Sequence, residues 1–190
     1  MSTASATALP TIDPAAMSEP LREQRDDEGR RVSVTFESTR IPCPVPAGDE
    51  WLVALDGSGH ALHALALAIR LSIECGARVL DLVNVQPWLS KEAAETELAR
   101  RGRAATADAC AMLDANEFGW RLHVLMGEPA ASIVEQAESL RSRGIVIGAR
   151  GLTATETLLL GSIAQQVIHA ARGAVLVVRA PVPPQEKTPC

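Results

Sequence analysis

The 190-residue chain has no stretch that approaches about 18 consecutive apolar residues, so no transmembrane helix is expected. Its opening residues, Met-Ser-Thr-Ala-Ser-Ala-Thr-Ala, carry neither a basic segment nor a long apolar run and do not read as a secretory signal. Met17 is an alternative start. A basic surface for nucleic acid is missing too. The densest cluster is Arg100, Arg101 and Arg103, and Glu92, Glu95, Glu97 and Asp108 around it make it the solvated face of a helix. The four cysteines, Cys43, Cys75, Cys110 and Cys190, are widely spaced with no C-x-x-C, which fits free thiols in a reducing cytoplasm. His60 and His63 lie one helical turn apart without a third ligand at a matching offset, so no metal site is expected.

The ends of the chain differ from its middle. Residues 1–50 carry nine acidic and five basic side chains, whereas residues 51–190 carry fourteen and thirteen. Six of the twelve prolines precede residue 50 and four follow residue 180. The expected organisation is a disordered, acidic, proline-containing extension over 1–48, one compact domain over 49–180, and a disordered tail over 181–190. Residues 1–30 have too few large apolar side chains to offset the entropy of ordering them. Val32-Ser33-Val34-Thr35-Phe36 alternates apolar with polar, a weak strand signal that reads as a loose edge addition or nothing.

From Trp51 onward, short apolar runs alternate with helical periods. Trp51-Leu52-Val53-Ala54-Leu55 is continuous, as in a strand buried on both faces, and ends at Asp56-Gly57-Ser58-Gly59. Leu62, Leu65, Ile69 and Ile73 then recur at helical spacing until Gly76. Further strands are read at 79–85, 122–126, 145–147 and 174–178. The helices between them cover 90–115, a stretch opened by Pro129, and one that carries Ile163, Val167 and Ala171. Five such strands imply βαβ units: an α/β fold with a five-stranded parallel sheet of order 3-2-1-4-5 and helices on both faces. In such sheets ligands bind beyond the carboxyl ends of the strands where the order reverses. That point lies between the first and fourth strands, whose exits, 56–59 and 148–161, are the two most glycine-rich loops.

In the second loop Gly148 and Gly151 allow close backbone approach, and Gly161-Ser162 opens a helix whose free N–H groups suit an anion. A nucleotide fits this arrangement, with ribose near the first glycine and phosphates between the second glycine and the helix. The spacing G-x2-G-x9-G-[ST] resembles the signature of the universal stress protein family, in its ATP-binding branch. Val53-Ala54-Leu55-Asp56-Gly57-Ser58, Leu158-Leu159-Leu160-Gly161-Ser162 and Val175-Leu176-Val177-Val178-Arg179 carry the same resemblance over residues 51–180.

The resemblance implies a Rossmann-like fold of the adenine nucleotide alpha hydrolase-like type, ATP as ligand with Mg2+, and a cytoplasmic stress-response protein. It places Asp56 against the adenosine, Val85 at the adenine through its backbone, and Gly148 at the ribose. Gly151, Gly161, Ser162 and the N–H of Ile163 would hold phosphates, and Arg150 is an added phosphate candidate. It also implies a homodimer through the last strand, an apolar edge that invites pairing. The chain departs from the family at Ala149, where serine is frequent, and at Gly144, where aspartate is usual. Asp56 also reads as a cap for the following helix.

Other motifs are missing. There is no G-x-x-x-x-G-K-[ST], no pyrophosphatase loop at 56–60, no nucleophile–base pair and no paired carboxylates near the glycines. The expectation is therefore a nucleotide-dependent signalling protein with at most weak ATP hydrolysis and no catalytic residue. The alternatives are a slow ATPase, or an interaction module whose N-terminal extension recruits a protein partner. Asp81, which interrupts an apolar strand, reads as a sheet-edge or interface position. Trp88 reads as core cover or a stacking partner for the base, and His123 and His169 read as structural.

Overall fold

The computed structural model describes residues 19–40, 50–150 and 160–180. The strands are β1 (Arg22–Arg25), β2 (Arg31–Glu37), β3 (Trp51–Ala54), β4 (Val79–Gln86), β5 (Gly119–Met126), β6 (Gly144–Gly148) and β7 (Ala174–Val178). The helices are α1 (Gly59–Glu74), α2 (Lys91–Ala115), α3 (Pro129–Leu140) and α4 (Ser162–Ala170). One seven-stranded sheet runs β1-β2-β5-β4-β3-β6-β7. Strands β3 to β7 are parallel and reproduce the expected order 3-2-1-4-5.

Alternate residues of each central strand feed opposite layers, which is why those strands read as continuous apolar runs. Val53, Leu80, Leu82, Leu122 and Val146 pack beneath α1 and α2. Leu52, Val83, Ile145 and Ile147 pack against α3 and α4. Helix α2 lies flush on the sheet at Gly102, where a β-carbon would fall 2.3 Å from Val124 Cγ1. Helix α1 starts on its Ser58 cap, whose Oγ accepts the Ala61 N–H at 3.2 Å. It ends before Gly76, which takes φ +76°.

The extension departs from expectation. Residues 22–37, read as part of a disordered 1–48 segment, form an antiparallel hairpin that extends the sheet from five strands to seven. Val34 and Phe36 are 0% and 1% exposed and belong to the same core as α1 and α2. Arg25 and Arg31 pair with Glu95 on α2, and Lys91 Nζ donates to the Glu28 carbonyl. Burial of two large side chains and these long-range charge contacts order a segment that has little local propensity. Residues 1–18, 41–49 and 181–190, the rest of the expected extension and tail, lie outside the described residues.

Candidate functional site

The reversal of strand order falls between β3 and β6, so their exits stand side by side. At the β3 exit the Leu55 N–H donates to the Val83 carbonyl at 2.9 Å. Asp56 is half-buried, and its Oδ1 accepts the Ser58 N–H at 2.9 Å. Capping of α1 thus belongs to Ser58, and Asp56 shapes the turn before it. Gly57 has φ +84°, and a β-carbon there would lie 3.1 Å from the Ala105 carbonyl oxygen. Both facts favour glycine and bring the backbone of α2 against the loop.

Asn84 is a positioning residue that pattern reading passed over. It is 2% exposed, donates through Nδ2 to the Leu55 carbonyl at 2.8 Å, and accepts from Gln86 Nε2 at 2.6 Å. A buried amide therefore fixes the β3 exit from the neighbouring strand. An asparagine at the carboxyl end of an apolar run was the available signal. Pairing between β3 and β4 runs to Ala54–Val83, and β4 continues to Gln86. Val85 is half-buried just beyond that last pair, still paired with Leu125 of β5 on its other side.

Gly148 ends β6. A β-carbon there would meet the His60 carbonyl carbon at 2.9 Å, the His60 oxygen at 3.0 Å and the Ala61 nitrogen at 3.1 Å. The first turn of α1 therefore rests on this glycine, and a side chain would push it off. The Ala149 N–H donates to Val178, and the Gly161 N–H donates to the Ala149 carbonyl at 2.8 Å, so the two ends of the glycine loop touch. One of the amides expected to hold phosphate, that of Gly161, is thus occupied in this state. Helix α4 starts at Ser162 with no side-chain cap and no acidic residue in its first turn. Ser162 is exposed and Ile163 half-buried at that end, where first-turn N–H groups have no partner within the helix and, with the helix dipole, favour an anion. Arg150 is half-buried and engaged with a neighbour. Gly151 lies outside the described residues. The structure therefore brings Asp56, Gly148, Arg150, Gly161, Ser162 and Ile163 to the two adjoining exits, with Val85 at the next strand end.

A second polar cluster lies inside the sheet. Asp81 is not at an edge, as its sequence context suggested, but in β4 between β3 and β5, 2% exposed. Arg121 grips both its oxygens at 2.8 Å, and His123 Nε2 lies 3.1 Å from Oδ1. His123 Nδ1 is 3.3 Å from Thr35 Oγ1 on β2, and Glu50 approaches Arg121 at 3.8 Å. Burial alone would raise the Asp81 pKa, but hydrogen bonds from His123 and Arg121 outweigh it and hold the carboxyl below its usual range. Trp88 covers no core: it is 57% exposed, with the Arg30 guanidinium 5.4 Å from its ring.

An open parallel core with helices on both faces and a glycine-rich loop at its switch point defines a Rossmann-like α/β domain. The model of the universal stress protein family matches residues 50–179, and the chain belongs to that family. A universal stress protein of Methanocaldococcus jannaschii is 36% identical over 140 residues, spanning 68% of this chain and 81% of that protein. Among solved structures, the universal stress protein from Archaeoglobus fulgidus in complex with dAMP is 23% identical, with TM-score 0.56 over 68% of this chain and 96% of its own. A universal stress protein in complex with cAMP is 24% identical, with TM-score 0.55 over 70% and 98%. Both structural likenesses establish the fold. No helix among the described residues is long and apolar enough to cross a membrane.

Proposed function

We propose that this protein binds an adenine nucleotide, ATP with Mg2+, at the β3–β6 switch point and acts as a nucleotide-dependent stress-response protein of the cytoplasm. The observation that carries this reading is the uncapped, acid-free start of α4, tied through Gly161 to Ala149 just past β6, the strand that pairs with β3. Phosphates would lie on the Ser162 and Ile163 end of α4, with Mg2+ arriving on the phosphates. The ribose would sit by Gly148, and the adenine would use the backbone of β4 at Val85. The dAMP and cAMP complexes of family members support an adenine nucleotide as the ligand class. Binding rather than turnover is the primary role, with hydrolysis at most weak.

The same reading includes a homodimer through β7. Its residues Val175 to Val178 are apolar and only partly buried at the sheet edge. Ile73 on α1 and Ile168 on α4, from two helices that pack on β7, are 47% and 43% exposed.

Native mass spectrometry of the purified chain, with thermal unfolding in millimolar ATP and Mg2+, tests the binding. The expected result is an adenine nucleotide adduct and a raised Tm, both reduced in Asp56→Ala and Ser162→Ala. A nucleotide-free chain with an unmoved Tm overturns the reading.

A further inference from the structure

The family match begins at residue 50, so the hairpin of β1 and β2 is an addition to the family domain. Within 50–179 alone the strand order is β5-β4-β3-β6-β7, which would leave β5 as an outer strand with a free row of N–H and C=O groups. Strand β2 occupies that row in antiparallel register, from Ser33 opposite Leu125 to Glu37 opposite Arg121. Thr35 adds a side-chain contact to buried His123, Val34 and Phe36 enter the core, and Arg103 of α2 lies over the Phe36 ring at 5.4 Å.

Covering one edge with a hairpin only moves the open edge outward to β1. That strand has the features that stop further pairing. It is four residues long, Arg-Glu-Gln-Arg, and every one is exposed. Its register with β2 breaks between Gln24 and Arg25. Arg25 turns away from the edge to Glu95 and to the Gly29 carbonyl at 2.9 Å, and Arg31 holds Glu23 at 2.9 Å. At the other side of the sheet, β7 has five apolar residues in unbroken register with β6.

We propose that the N-terminal hairpin is a built-in cap on the β5 side of the sheet, and that without the charges of β1 this side pairs with a second copy of the chain. The occupant follows from the geometry. Two copies present the same outer strand, and antiparallel pairing of like strands about a two-fold axis satisfies both β1 edges at once. The proposal does not depend on nucleotide binding; where β7 also pairs two copies, pairing at β1 on the opposite edge joins those dimers into larger species.

The test uses the full chain. Arg22→Thr, Glu23→Val and Gln24→Thr together remove the two β1 charges other than Arg25, which pairs with Glu95 on α2, and raise strand propensity. Sedimentation velocity should show a gain in mass of at least about twofold over the unmodified chain. Hydrogen exchange should show new protection at the β1 amides in the larger species. Arg22→Lys with Glu23→Asp, which keeps the charges, should retain the unmodified mass. An unchanged mass for the discharged variant overturns the proposal. So does a mass gain that leaves the β1 amides as exchangeable as before, since association then uses another surface.

Discussion

The two halves of this sheet are built by opposite means. Around β3 and β6, glycines and main-chain groups dominate: α1 rests on Gly148, α2 presses on Gly57, and the Asn84 amide holds the Leu55 carbonyl. Around β2, β5 and the start of β4, charged side chains are buried and paired: Asp81 with Arg121 and His123, and His123 with Thr35. The first half ties its strand and loop ends together through main-chain donors. The second commits its polar groups to one another and carries a strand pair from outside the family domain. Mutations on each side should therefore fail differently, by loss of packing or loop position in one half and by stranded charge in the other.

The largest expected loss comes from stranding charge. Asp81→Ala leaves Arg121 and His123 without their carboxylate in a buried layer, and a cost of about 3–5 kcal/mol in denaturant unfolding is expected. The same residue sets an acid limb of stability. Its folded pKa lies below its unfolded one, so the stability it contributes is fully present above about pH 4. That contribution is lost as pH falls through the lower folded value. Asp81→Asn should flatten this limb when stability is measured from pH 6 down to about pH 2.

Next comes the packing of α2, which serves both halves by touching β5 and the Gly57 turn. Gly102→Ala would favour the helix by about 1 kcal/mol on propensity alone. Its methyl, however, would lie 2.3 Å from Val124, a residue that is 0% exposed and cannot swing aside. Overpacking should win, with a net loss of about 1–3 kcal/mol. A stabilised Gly102→Ala variant would mean that α2 shifts freely on the sheet. In the switch-point half, Asn84→Ala removes the buried donor to Leu55 and should cost about 1–2 kcal/mol. Unlike the other two, it should also weaken the nucleotide binding we propose, measured by calorimetry, because it frees the exit on which Asp56 sits.

This contrast also explains what the sequence made legible. Strands β3 to β7 and helices α1 to α4 announce themselves by apolar runs and periods, because both faces of the central strands are covered. The glycine spacing located the loops at the switch point, since it records where the chain approaches itself closely. That Gly161 donates to Ala149 was not legible, because loop closure depends on how two distant ends meet. Asp81 stands out in the sequence only as an interruption, and His123 only as a structural residue of its strand. Their pairing joins residues 42 positions apart, and no local spacing encodes it. Strand β1 was missed for the same reason. Arg-Glu-Gln-Arg has no apolar period, and its order comes from β2 alongside and from Glu95 some 70 residues away.

The smallest effect should come from that clamp, and it tests whether exposed charge resembles buried charge in this half. Arg25 and Glu95 form a close pair, and each side chain is more than a third exposed. Their mutual hydrogen bond, the largest influence, raises the Arg25 pKa and lowers that of Glu95, and burial opposes it in both. Water and salt screen such pairs, and side-chain ordering offsets much of the attraction. Glu95→Gln should therefore lower Tm by far less than Asp81→Ala, and about 1 M NaCl should erase the difference from the unmodified chain. Core burial of Val34 and Phe36 would still hold the hairpin in place. If Glu95→Gln instead released β1 and β2 from protection in hydrogen exchange, the charges on α2 would be holding the hairpin and the buried network would be secondary.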